Sequence, residues 1–172
     1  MFEEVVNRLE ENRIQPMASK DTVEFLSLFC EDFMPLNALE IGTLYGYSAL
    51  FLSKHSKELT CIELDHFNSI QAKNNFLNAG VSNIKLLEGD ALKILKKLEN
   101  KYDLIFIDLA KKYYLDVLKL CLPLLSPRGV IFVDNTISHK DKLKDFFFFV
   151  EKSDLFYFEL EIGKGLMIIS KV

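Results

Sequence analysis

The amino-acid sequence predicts an α/β chain built on a mostly parallel sheet, and three observations carry this. Short apolar runs alternate with longer helical patterns along the chain, an order that builds parallel sheets covered by helices on both faces. Two runs, YDLIFID from Tyr102 and GVIFVDN from Gly129, are almost wholly apolar up to a terminal carboxylate, Asp108 or Asp134. Strands buried on both faces read this way. The last two runs are separated by Gly163-Lys164-Gly165, a hairpin signal. The expected fold is Rossmann-like: a doubly wound, mostly parallel seven-stranded sheet with a C-terminal antiparallel hairpin, its one antiparallel strand at an edge.

The elements follow in order. Residues 3–12 and 21–33 read as helices, the second capped by Ser19 or Asp21. Asn37 to Ile41 is a first strand, followed by a turn from Gly42 to Gly46 and a helix to about His55. Leu59 to Glu63 is a second strand, and 66–79 a helix ended by Gly80. Ile84 to Glu88 is a third strand, with a helix over 91–99. Tyr102 to Asp108 is the fourth, and the helix over 112–124 stops before Pro127. Val130 to Asp134 is the fifth, and 140–152 a Phe-rich helix. Phe156 to Ile162 and Leu166 to Val172 close the chain as two strands.

At 172 residues the chain is expected to form one domain, 1–172, with N-terminal helices over 1–35 and the Rossmann-like core over 36–172. Hydrophobic residues at 49% and charged residues at 27% suit a globular chain with a full core. The net charge of -4 weighs against a nucleic-acid binder, which usually carries a basic surplus. Cys30, Cys61 and Cys121 show no metal spacing and read as free thiols, which fits a reducing cytoplasm. The N-terminus MFEEVVNRLEENR lacks the continuous apolar stretch of a signal peptide. No run approaches the roughly 18 apolar residues of a membrane helix.

Four motifs carry chemistry. In LEIGTLYGYSAL, Gly42 and Gly46 sit at a strand-to-helix turn, where missing side chains let a ligand approach the backbone. The helix N-terminus beyond favours a carboxylate or phosphate, and Ser48 offers a hydroxyl. The same residues also serve a plain tight turn. Glu40, in a run otherwise apolar, is a buried carboxylate in need of a partner such as a ligand amine. Glu63 lies close to the roughly 20-residue offset at which an acid binds ribose hydroxyls, with Asp65 as its competitor. Asp90, in GDAL, is placed to cap the helix starting at Ala91 and to face an adenine across the strand ends. Asp108, Asp134 and Asn135 bring oxygen donors to two strand ends, a set suited to Mg²⁺ or another hard divalent cation, with Lys111 beside it as a base. The bland alternative is a pair of strand-end acids with a surface lysine. His55, His66 and His139 are scattered and read as loop or solvated residues.

With these motifs in place the chain resembles the class I S-adenosylmethionine-dependent methyltransferases, specifically the cation-dependent O-methyltransferases of the catechol and caffeoyl-CoA type. The resemblance covers roughly Ser19 to Val172. LEIGTLYGYSAL resembles the first cofactor motif, FIDLAK the strand-four motif, VDNT the strand-five metal motif and LEIGKGLMI the closing hairpin. It implies that Glu40, Gly42 and Ser48 bind the methionine part of S-adenosylmethionine, that Glu63 binds its ribose, and that Asp90 and Ala91 border its adenine. It also implies that Asp108 lies against the cofactor as well as the cation. It implies further that Asp108, Asp134 and Asn135 ligate Mg²⁺ or another divalent cation, that Lys111 is the general base, and that Tyr114 has a structural role.

The sequence departs from the family in three places. It is shorter at the N-terminus, it reads Val23-Glu24 where a Gly-Gln pair is usual, and the long loop after strand five is nearly absent. Those parts wall the acceptor pocket in the family, so an open site is expected. The implied acceptor is a small hydroxylated molecule with vicinal oxygens. A hydroxylated uridine in tRNA is the alternative within the family, and a non-catalytic S-adenosylmethionine-binding module the alternative outside it. No membrane association is expected, and a homodimer stays open.

Overall fold

The computed structural model describes residues 1–172. The elements are α1 (Phe2–Glu11), α2 (Lys20–Phe33), β1 (Asn37–Ile41), α3 (Tyr47–His55), β2 (Glu58–Glu63), α4 (His66–Ala79) and β3 (Ile84–Glu88). They continue as α5 (Ala91–Ile94), β4 (Tyr102–Ile107), α6 (Tyr114–Cys121), β5 (Leu125–Asp134), α7 (Lys144–Lys152), β6 (Leu155–Leu160) and β7 (Leu166–Lys171). All seven strands join one sheet in the order β3-β2-β1-β4-β5-β7-β6. β3 to β5 pair in parallel through β2, β1 and β4, while β7 runs antiparallel to both β5 and β6.

One expectation is corrected here. The antiparallel strand is not at the edge: β7 inserts between β5 and β6. The reason lies in composition. In β7, Leu166, Met167 and Ile169 are buried, whereas Phe156, Tyr157 and Phe158 of β6 are exposed. The strand that is apolar on both faces takes the interior place.

Strand alternation divides the core. Leu104 and Phe106 of β4 face one layer with α1 to α4, and Ile105 and Ile107 face the other with α6 and α7. Phe132 of β5 is fully buried on the first face, with Phe29 edge-on at 4.9 Å and Phe25 at 6.2 Å.

Helix ends follow local chemistry. Ser19, not Asp21, caps α2 by accepting the Thr22 amide at 3.1 Å. Asp65 caps α4 through the Asn68 amide at 2.9 Å, and Gly80 ends it in a left-handed conformation. Three expected helices are shorter or broken. The 91–99 segment is α5 plus a 3-10 turn at Leu95–Lys97. Pro123, which lacks an amide hydrogen, falls in a 3-10 turn that ends α6 early. Buried Leu143 separates a 3-10 turn at Lys140–Lys142 from α7. β5 starts at Leu125 rather than Val130, because Leu125 already pairs with Tyr102 across a register shift.

Strand order reverses between β1 and β4, which opens a crevice at their carboxyl ends. Replacing Phe132 with Ala should cost about 3–5 kcal/mol of unfolding free energy, read from urea denaturation. A loss under about 1 kcal/mol would mean that the aromatic cluster does not carry this face.

Candidate functional site

The crevice contains a cavity of about 310 Å³. Its walls come from the turn after β1, the ends of β2 and β4, the Gly89–Leu92 turn and the segment Pro16–Ala18 ahead of α2. Gly42 has φ +96, and its amide donates to the Ile62 carbonyl at 2.9 Å. A Cβ there would collide with the Asp108 carbonyl, so only glycine lets the β1 turn lie against the end of β4. Six predicted cofactor residues, Gly42, Ser48, Glu63, Asp90, Ala91 and Asp108, line this one cavity.

Glu40 lies behind the wall rather than in it. It is fully buried, and neither carboxylate oxygen has a hydrogen-bond partner. Burial pushes its pKa up to about 7, against a smaller opposing pull from nearby Ser48, Thr43 and Cys61. The Thr43 hydroxyl beside it is buried and also without a partner. Thr43 was not singled out by sequence; its adjacency to Gly42 was the available signal.

Glu63 has the opposite environment. Its carboxylate accepts the Leu44 amide at 2.7 Å, the Asp65 amide at 2.9 Å and the Asn68 amide nitrogen at 3.4 Å. It thereby ties the glycine turn to the loop after β2 and still faces the cavity. Asp65 is taken up in capping α4 and lies outside the cavity wall. Asp90 does both expected things: it accepts the Leu92 amide at 2.9 Å as the α5 cap, and it lines the cavity.

Next to the cavity stands the cluster from β4 and β5. Asp108 Oδ1 accepts Lys111 Nζ at 3.1 Å and Asn135 Nδ2 at 3.0 Å. The same Asn135 nitrogen donates to Asp134 Oδ2 at 2.8 Å, so one amide bridges two carboxylates. Asn135 adopts φ +63, a left-handed conformation that Asn tolerates better than most residues. Both carboxylates have raised pKa values. Burial is the main cause in each, and Asp108 adds a like charge against Asp134 while Lys111 opposes the rise. Lys111 Nζ also donates to the Tyr114 hydroxyl at 2.6 Å, which in turn donates to the Asp134 carbonyl at 2.9 Å. Tyr114 therefore fixes the lysine as well as filling the core.

The cluster fits a hard cation. It offers two carboxylates and an amide, all of which can present oxygen, and two adjacent acids whose mutual repulsion a cation would relieve. The Asn135 amide nitrogen stands where a shared positive charge would sit, and turning the amide presents its oxygen instead. No group of three or more His, Cys, Asp or Glu side chains that could hold a metal occurs in the chain, so here the third donor would be the Asn135 amide.

Two further side chains belong here that sequence reading passed over as chemistry. Thr22 of α2 donates its hydroxyl to Asp134 Oδ1 at 3.3 Å, a contact 112 residues apart in sequence for which no local signal exists. Tyr113 lines the cavity on the lysine side. His139 follows the cluster on a loop; burial and then the Lys111 charge lower its pKa. His66 is exposed and contacts Glu88, away from the cluster. The three cysteines are free and buried.

The O-methyltransferase family model matches residues 1–145. The chain belongs to the O-methyltransferase family. It is 32% identical over 122 residues to the catechol O-methyltransferase of Niastella koreensis, an overlap of 66% of this chain and 55% of that relative. It is 30% identical over 167 residues to the caffeoyl-CoA O-methyltransferase of Zinnia elegans, covering 90% of this chain and 68% of the relative. The chain thus spans about half the length of several curated relatives it matches. Among solved structures, the S-adenosylhomocysteine-bound methyltransferase of Podospora anserina superposes with a TM-score of 0.90 at 25% identity, over 99% of this chain and 87% of that one. The family fold, with its antiparallel closing hairpin, is the fold described above. No helix of this family member is long and apolar enough to cross a membrane.

The isolation of Glu40 has a pH signature. A carboxyl whose folded pKa is about 7, against 4.5 in the unfolded chain, binds its proton more tightly when folded. Its favourable contribution is complete below pH 4.5 and is lost as pH rises through about 7. Urea midpoints without cofactor should therefore fall over that window in the wild type and fall less in Glu40→Gln. Parallel profiles would contradict the assignment.

Proposed function

We propose that this chain is an S-adenosylmethionine-dependent O-methyltransferase that acts on a hydroxyl of a cation-chelated acceptor with vicinal oxygens. The observation that carries the reading is the double membership of Asp108. It lines the cavity on one side and belongs to the Asp108–Lys111–Asp134–Asn135 cluster on the other. Methyl donor and acceptor would therefore meet across a single side chain. The names of the curated relatives, catechol and caffeoyl-CoA O-methyltransferases, support the acceptor class.

When bound, S-adenosylmethionine supplies the methyl group and a divalent cation supplies Lewis acidity at the acceptor hydroxyl. Glu63 and Asp90 would hold the nucleoside end, with the Gly42 turn and Ser48 at the methionine end. Glu40, charged once an ammonium lies near, would balance that group. Asp108, Asp134 and Asn135 would hold the cation. Once a cation lies beside it, Lys111 would release its own proton to solvent, and the resulting neutral amine, aimed by Tyr114, would take the acceptor proton. Most of the remaining effect would be positioning of donor and acceptor.

A second acceptor, a hydroxylated uridine in tRNA, is favoured by one observation. Lys111, Lys142 and Lys164 gather near His139 beside the cluster, a local basic group in an acidic chain.

The test is methyl transfer to catechol and to tRNA carrying the hydroxylated uridine, each with Mg²⁺ and with EDTA. Transfer to catechol that needs Mg²⁺, with kcat lowered about 10²- to 10⁴-fold in Lys111→Ala and cofactor affinity kept, is expected. Full activity in EDTA would remove the cation from the mechanism. Activity on tRNA alone would move the acceptor to the second reading.

A further inference from the structure

The Asp134 carboxylate is held by two different elements through two different oxygens. Oδ2 accepts the Asn135 amide at 2.8 Å, and Oδ1 accepts the Thr22 hydroxyl at 3.3 Å. A carboxylate with one anchored oxygen can swing about its Cβ–Cγ bond, whereas one anchored at both oxygens has a fixed plane. Thr22 is fully buried, so no solvent water replaces its hydroxyl without rearrangement.

The proton inventory fixes the direction of this contact. A hydroxyl has one proton to donate. Thr22 Oγ1 lies 2.8 Å from Ser19 Oγ, and Ser19 Oγ already accepts the Thr22 amide at 3.1 Å. When Asp134 is ionised its oxygen only accepts, so the Thr22 proton goes to Asp134 and the Ser19 proton goes to Thr22. The chain Ser19 to Thr22 to Asp134 is then satisfied at every member. Gly163, at φ +58 in the closing hairpin turn, covers it. A Cβ at that position would strike both hydroxyls. The 3.3 Å spacing lies beyond the roughly 2.5–3.0 Å usual for such a bond, so the contact is weak and its effect is orientation rather than a large energy.

We infer that Thr22 is a positioning residue of the cation site, its hydroxyl fixing the Asp134 carboxylate so that the second oxygen faces Asn135 and Asp108. The inference rests on the reading of that cluster as a cation site. α2, which carries Thr22, starts just beyond the cavity wall at Pro16–Ala18, so one short segment lines the cofactor cavity and orients the cation ligand. The hydroxyl acts without touching the cation, as groups that orient metal-bound carboxylates do.

The experiment is Mn²⁺ binding to the full chain in the presence of S-adenosylhomocysteine, followed by electron paramagnetic resonance and titration calorimetry. Thr22→Val keeps the shape and removes the hydroxyl. It should weaken Mn²⁺ binding about tenfold or more, while S-adenosylhomocysteine affinity measured without cation stays at the wild-type level. Thr22→Ser should restore Mn²⁺ binding. Thr22→Ala serves in place of Thr22→Val if that variant does not fold. Wild-type Mn²⁺ affinity in the hydroxyl-free variant, or failure of Thr22→Ser to restore it, would overturn this inference alone. Absence of Mn²⁺ binding by the wild type would overturn the cation reading and this inference with it.

Discussion

Two carboxylates at the ends of neighbouring parallel strands, Asp134 fully buried and Asp108 partly so, set the terms for the rest of this molecule. β4 and β5 pair residue for residue up to Ile107 and Val133, which brings Asp108 and Asp134 side by side as the strands finish. Like charges so placed repel, and burial magnifies the repulsion. The chain answers with Lys111, with an amide shared between the two acids, and with a hydroxyl from α2. Each answer constrains another element. The lysine is fixed by Tyr114 of α6, the amide requires a left-handed backbone at Asn135, and the hydroxyl requires α2 to lie across the sheet end.

The same strand ends organise the cofactor cavity. The turn after β1 lies so close to β4 that the position facing the Asp108 carbonyl must be Gly42. Glu63 then ties that turn to β2 with backbone amides. The cavity and the acidic cluster are therefore consequences of one parallel ladder, sharing Asp108. Glu40 fits the same logic. It is a buried acid with no partner in the chain, and an unpaired buried carboxyl is a cost that a ligand's positive charge would remove.

Much of this was legible in the sequence because it is local or periodic. Alternating apolar runs gave the parallel ladder, and strand-end acids such as Asp108 and Asp134 stood out because carboxylates rarely close an apolar run without use. Asp90 was readable as a cap from its place ahead of a helix, whereas Asp65, weighed only as a competitor of Glu63, proved to cap α4. The insertion of β7 between β5 and β6 was missed because a hairpin signal says that two strands pair, not which of them meets the sheet. The continuous apolar run in β7 against the exposed aromatics of β6 was the clue. The breaks at Leu95 and Leu143 were missed because side-chain burial overrides helical pattern over a few residues. The Thr22 contact was beyond reach, since it joins positions 112 apart through a fold that must exist first. Individual roles in catalysis belong to the family resemblance and to chemistry rather than to spacing.

The central claim is that the acidic pair and Asn135 form a cation site next to the donor cavity. A crystal structure with S-adenosylhomocysteine and Mn²⁺, with an anomalous difference map, tests it most directly. The account predicts one strong peak within about 2.0–2.5 Å of oxygens from Asp108, Asp134 and Asn135, with the Asn135 amide turned to present oxygen. A map with the cofactor product in the cavity, no peak at the cluster and the Asn135 nitrogen still bridging the two carboxylates would contradict it.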